Sequence, residues 1–176
     1  MNGLNSLSKG RSYLNNFKYL YFLKFENFFK VGVSLSPQER MNTMLNQSKE
    51  VMDIEKSLYI KVNINIFQTV EKLLKNKYDS IGNSDFYPTE CFELKYMDLM
   101  IKDVKELSYL FDLKMEVTNL EDKFVLIKNK EGKFRVLGRE YYLKKLSKGF
   151  YSNGYELIGG KKEVTRCQLN QKLKTY

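Results

Sequence analysis

Histidine is absent from the 176 residues. Ser-His-Asp and Cys-His triads, His-ligated nuclease metals and Cys₂His₂ fingers are thereby excluded. There are two cysteines, Cys91 and Cys167, with no CxxC spacing between them. That spacing argues against a zinc site or a disulfide framework and reads as free thiols in a reducing compartment. Long apolar runs are missing too. The longest, Tyr19–Leu23, has the length of a strand and falls far short of the ~18 residues that span a bilayer. Residues 1–16 carry no apolar leader core, so a cytoplasmic protein is expected, with no membrane partner. Alanine is absent as well, while Lys, Asn, Ile, Phe and Tyr abound. That bias is the mark of an AT-rich genome, of the phage or mobile-element kind.

What remains is basic and rich in rings. Thirty Lys+Arg against 21 Asp+Glu leave a net charge of +9 and a pI near 9.3. Such a surplus favours a polyanion, nucleic acid before anionic membrane. With 43% hydrophobic residues the chain can bury a core.

The polar stretch 1–16 reads as a loose arm. Lys18–Lys24 and Phe28–Ser34 are aromatic, β-prone runs across Glu26-Asn27, the pattern of a hairpin. Ser36-Pro37-Gln38-Glu39 predicts a helix start with a capping box, followed by Met41, Met44 and Leu45 as its buried stripe. Leu58, Ile60, Val62 and Ile64 alternate as a strand. Asn65 then caps a helix whose stripe is Ile66, Phe67, Val70, Leu73 and Leu74. After a turn-rich stretch, 79–88, Met100, Val104, Leu107 and Phe111 mark a third helix. Further on, two short strands flank Asn129–Gly132, Tyr141–Leu146 is a short helix, and a glycine-rich aromatic segment precedes a basic tail. The expected fold class is α+β. A small antiparallel three-stranded sheet flanked by helices occupies 17–113, and a small β-rich C-terminal module occupies 116–176.

Without histidine, a hydrolytic site must be built from Tyr, Lys, Arg and acids. Tyr21 lies on the first strand and Lys30-Val31-Gly32 on the second. Arg40 follows eight residues after Gly32, and Glu71 lies on the helix after the third strand. In this order the chain resembles the GIY-YIG nuclease superfamily over about residues 17–95. Tyr19-Leu20-Tyr21 stands at the GIY triplet, with Tyr19 in place of its glycine. Lys30-Val31-Gly32 stands at YIG, with lysine in place of tyrosine as in phage-encoded branches. Glu90-Cys91-Phe92 matches a closing E-x-F element. The resemblance implies catalytic Tyr21, Lys30, Arg40 and Glu71, and an asparagine whose approximate counterpart, Asn83, reads equally as a turn residue.

The chemistry of these side chains is coherent with phosphodiester hydrolysis in DNA. Glu71 is a hard oxygen ligand for one Mg²⁺ or Mn²⁺. The planar fork of Arg40 suits phosphate oxygens and developing negative charge. Tyr21 is the general-base candidate. Its ordinary pKa of about 10 requires a cation nearby, supplied by Lys30 or the metal. Against this stand blander roles: a core ring for Tyr21, a solvated Lys30, an Arg40 paired with Glu39 or Glu50. Asp79, Asp85 and Glu90 read as solvated loop acids.

In the C-terminal module, Arg135, Arg139, Lys144 and Lys145 interleave with aromatic rings, and Lys161-Lys162 follow. This pattern suits nucleic-acid contact, or equally the ordinary core of a small β domain. Two further functions stay open: a non-cleaving DNA-binding or regulatory protein, and a phage factor that inhibits a host protein. For an enzyme, one site cuts one strand, so double-strand cleavage implies a homodimer or successive nicks.

Overall fold

A computed structural model describes residues 17–48, 50–78, 80–81, 90–110, 115–151 and 153–160. The chain opens with β1 (Phe17–Lys24) and β2 (Phe28–Ser34), an antiparallel hairpin closed where the Phe25 N–H donates to Phe28 O at 2.8 Å. Next come α1 (Pro37–Gln47), β3 (Asp53–Asn63) and α2 (Ile64–Lys77). Then follow β4 (Cys91–Glu93), a 3₁₀ turn at Leu94–Tyr96 and α3 (Met97–Leu110). The last elements are β5 (Glu116–Asn119), α4 (Leu120–Lys123), β6 (Phe124–Asn129), β7 (Phe134–Gly138), α5 (Arg139–Leu146) and β8 (Tyr155–Gly159).

The architecture is the expected α+β. The three expected strands are the centre of a five-stranded sheet, β4-β2-β1-β3-β5, and β7-β6-β8 form a second sheet. Every strand pairing is antiparallel. β1 reads as an unbroken apolar run because both faces of the sheet are covered and alternate side chains point to opposite faces. Leu20 and Phe22 join Phe29, Val31, Ile60, Val62 and Phe92 beneath Val70, Leu74, Met100 and Val104 of α2 and α3. Tyr21 and Leu23 face the other way, against Met41, Met44 and Leu45 of α1 and Leu126 and Val136 of the second sheet. Burying each large apolar side chain contributes about 1.5–3 kcal/mol.

Local expectations at the helix ends differ from what is found. Pro37 does start α1, but Ser36 makes no side-chain cap. Its N–H instead donates to Ser34 Oγ at 3.0 Å, so the capping box gives way to a serine turn. α2 begins at Ile64, which places Asn65 inside the helix, not at its cap. Leu73 is 45% exposed, while Val70 and Leu74 carry the buried stripe. Glu116–Asn119, read as the start of the second module, pairs with β3 in the first sheet. β8, inside the glycine-rich segment, was not foreseen. Phe111, Asp85, Pro88, Cys167, the N-terminal arm and the basic tail lie outside the described residues.

α1 joins the two sheets. The Asn42 side chain accepts from Val136 N at 2.8 Å and donates to Val136 O at 3.1 Å, mimicking a neighbouring strand on the edge of β7. Gln38 Nε2 donates to the same carbonyl at 3.3 Å. The helix that carries Arg40 is thus tied to the second sheet from two successive turns. Among the described residues no helix is long and apolar enough to cross a membrane.

Candidate active site

Tyr21 sits at the centre of the central strand, paired with Gly32 on one side and Tyr59 on the other. Its ring folds across Gly32. A Cβ built on that glycine would meet Tyr21 Oη at 2.1 Å and Cζ at 2.5 Å. No real side chain tolerates that approach, so the glycine of Lys30-Val31-Gly32 is required by the tyrosine opposite it. The phenol is thereby aimed at α1, where Arg40 Nε donates to Tyr21 Oη at 3.0 Å. Arg40 lies in the first turn of the helix and is half-buried.

Lys30 lies two residues before Gly32, hence on the same face of β2. It is 2% exposed, an uncommon place for an ammonium group. Its Nζ lies 3.6 Å from Glu90 Oε2. Glu90 precedes β4 and holds the left-handed φ of 69°, rare for a residue with a side chain. Its backbone carbonyl accepts from Val31 N at 3.3 Å, which fixes it against β2. The other carboxylate oxygen takes Lys75 of α2, and Lys75 in turn pairs with Glu71 one helical turn earlier at 2.9 Å. The result is a relay of alternating charge, Lys30–Glu90–Lys75–Glu71, running from the sheet to the helix.

The electrostatics follow this arrangement. Burial pushes the Tyr21 pKa above its usual 10, the Arg40 hydrogen bond and charge pull it back, and the charges of Glu90 and Glu71 push it up again. The net shift is upward, so the group is a phenol at neutral pH. The expectation that Lys30 supplies the activating field gives way to Arg40 as the cation bonded to the phenol. Burial lowers the Lys30 pKa, with Cys91 and Glu90 acting the other way. The neighbouring Cys91 thiol is pushed up to about 11, mainly by burial, and is inert as a thiolate. For Lys75, burial acts downward, but hydrogen bonds to Glu90 and Glu71 carry its pKa above the ordinary value.

Tyr21, Lys30, Arg40 and Glu71 therefore belong to one electrostatic neighbourhood. Asn83 lies outside the described residues. One member escaped the sequence reading and another, part of the E-x-F element, was given no role in the site. Glu90 was read as a solvated loop acid and is instead the joint between two lysines. Lys75 was not singled out, although its i,i+4 spacing from Glu71 was a signal for an ion pair. Among the described residues no group of three or more His, Cys, Asp or Glu side chains gathers for a metal. The donor set is one carboxylate, Glu71, with Glu90 held to the same ammonium. It fits a hard divalent cation that keeps most of its waters and does not fit an all-protein cage.

The basic residues of the second module are placed differently. Arg135 and Lys144 are exposed on β7 and α5, and Lys145 lies among aromatic rings. Arg139 is half-buried, with Nη2 enclosed and lacking a hydrogen-bond partner. Lys161 and Lys162 lie outside the described residues.

Residues 18–109, just over half the chain, match the T5orf172 domain, running from β1 to the end of α3. That domain is phage-associated and related to GIY-YIG-like nuclease folds. No curated protein and no solved structure matches the chain.

Proposed function

Because the chain belongs to the T5orf172 domain family, we propose that it is a GIY-YIG-like endonuclease hydrolysing phosphodiester bonds in DNA. Glu71 would hold one divalent cation, Mg²⁺ or Mn²⁺. The observation that carries this reading is the 3.0 Å bond from Arg40 Nε to the Tyr21 phenol, next to the relay that ends in Glu71.

Hydrolysis forms a bond from a water oxygen to phosphorus, breaks the bond to the leaving deoxyribose oxygen, which takes a proton from solvent, and releases the attacking water's proton. Tyr21, as phenolate, takes that proton. Arg40 spends Nε on Tyr21 and keeps its terminal nitrogens for phosphate oxygens, so one side chain orients the base and meets the transition-state charge. Lys30 adds positive charge beneath the same face. When bound, the cation would supply charge neutralisation on the phosphate and offset the carboxylate charge, the lesser contribution beside burial to the raised Tyr21 pKa. To hold the cation, Glu71 would have to release Lys75, which has Glu90 as its other partner. A homodimer would bring two such sites to a double-strand cut.

Two observations favour a second reading, a non-cleaving DNA-binding protein: Lys75 already occupies the Glu71 carboxylate, and Tyr21 is a phenol at neutral pH. Supercoiled-plasmid nicking in Mg²⁺ or Mn²⁺ decides between them. Wild type should nick, and Glu71→Ala and Tyr21→Phe should each lose about 100-fold or more. DNA binding without nicking in either metal would overturn the enzyme in favour of the binder.

A further inference from the structure

The second module leaves aromatic rings where cations gather. Between residues 128 and 160 basic residues outnumber acidic ones eight to three. The Lys145 ammonium lies 4.7 Å from the Phe150 ring centre and 5.6 Å from that of Tyr141. Tyr141 lies close enough to Tyr151 to act on its hydroxyl, whose pKa is raised chiefly by burial. Tyr151 stacks on Tyr142 at 5.6 Å and meets Tyr155 edge-on at 5.0 Å. Tyr142 belongs to the module's buried core and Tyr151 packs against it, while Tyr141, Phe150 and Tyr155 stay exposed; Arg135 is close enough to act on the Tyr151 hydroxyl.

Two features set this cluster apart from a small domain's core. Tyr141, Phe150 and Tyr155 are 51%, 54% and 46% exposed, large apolar residues left open to water. Tyr151, the hub, holds φ 63°. For a bulky residue that conformation costs free energy and persists only when its surroundings impose it, a pattern that gathers at ligand clamps. A ring platform edged with cations fits a ligand that offers flat π faces and phosphates together. Duplex DNA hides its base faces within the stack, and only unpaired bases present them.

We infer that this face binds single-stranded DNA, stacking bases on Tyr141, Phe150 and Tyr155 while Lys144, Lys145 and Lys148 meet the phosphates. The protein then engages DNA that carries an unpaired stretch. The inference rests on DNA as the partner in the function proposed above, and not on cleavage.

The test uses the full chain without metal and a dye-labelled oligothymidylate of about 20 nucleotides beside a duplex of equal length, read by fluorescence anisotropy. The single strand should bind about tenfold or more tighter. Phe150→Ala and Tyr141→Ala should each weaken it by about 5- to 100-fold, the range expected for one lost stacking partner. Duplex affinity and melting temperature should stay unchanged. Since the chain has no tryptophan, Phe150→Trp should restore binding and show indole emission quenched by the single strand alone. Equal or tighter duplex binding, or aromatic variants that lose nothing, would overturn the inference even if the protein nicks plasmid. Ring-dependent single-strand binding by a protein that never nicks would uphold it and sink the nuclease. No affinity for either DNA would overturn both and leave an acidic protein partner as the occupant.

Discussion

Glu90 and Tyr151 share an uncommon backbone conformation, at φ 69° and 63°, in contrary surroundings. Glu90 draws Lys30, 2% exposed, and the one-third exposed Lys75 into a charged cluster that runs from the covered face of the first sheet out to solvent. Tyr151 links the second module's buried core, at Tyr142, to exposed rings at its surface, where Phe150 is 54% exposed. One region keeps charge where apolar groups are normal, and the other keeps apolar rings where charge is normal. Each departs from what stability alone would select, and such departures concentrate where a protein does its work. The two regions teach different lessons. Charge inside a fold must be partnered, so the first region is a network in which each member depends on the next. Rings at the surface need no partner to be tolerated, so the second region is a set of separable contacts.

That contrast is open to direct attack. The largest effect should come from Gly32→Ala, because its Cβ would overlap the Tyr21 phenol and the ring must swing away from Arg40. Plasmid nicking should fall about 100-fold or more, since a displaced catalytic group loses its alignment. Chemical denaturation should show a loss of about 1–3 kcal/mol from overpacking. Full activity in this variant would mean that the Tyr21–Arg40 geometry is not required, and the network picture would fail.

Next in size is the pH dependence of cleavage. The Tyr21 pKa is raised above 10, chiefly by burial. Its phenolate therefore grows about tenfold per pH unit through the neutral and mildly alkaline range. The nicking rate should climb with that slope from about pH 7 to 9 and lose it in Tyr21→Phe. A plateau near neutrality would assign the proton to a different base.

Smallest is the stability change in Lys30→Met. It replaces a buried ammonium by an apolar chain of similar volume, while Glu90, one-third exposed, keeps Lys75. Denaturation should shift by no more than about 1 kcal/mol, in either direction. A loss of several kcal/mol would show that the buried charge holds the sheet together, erasing the distinction between a functional cluster and a structural one.

Much of this was legible from residue order. The β1–β2 hairpin, α1 with its methionine stripe, β3, α3 and the β6–β7 hairpin all announce themselves by period and punctuation. So does the succession Tyr21, Lys30, Gly32, Arg40, Glu71. β5 and β8 were not legible because short strands are defined by what they pair with, and Glu116–Asn119 finds its partner some 58 residues back at β3. The Asn65 cap failed because Asn63 is still in strand and the helix starts at Ile64, without a capping linker. Glu90 was misread because a lone acid in a turn-rich stretch carries no sign of which lysines will come to it.

By itself the sequence determined which groups a hydrolytic site could be built from. A chain without histidine, with a +9 charge and this order of tyrosine, lysine, arginine and glutamate, restricts hydrolysis to oxygen ligands and basic forks. Only the tertiary structure decided which cation serves which acid. Arg40 rather than Lys30 reaches the phenol, Lys30 turns to Glu90, and Lys75 bridges to Glu71. Residue type fixes what a group can do, but charges choose partners by distance and burial. Those are set by the register of Tyr21 against Gly32 and by the left-handed turn at Glu90.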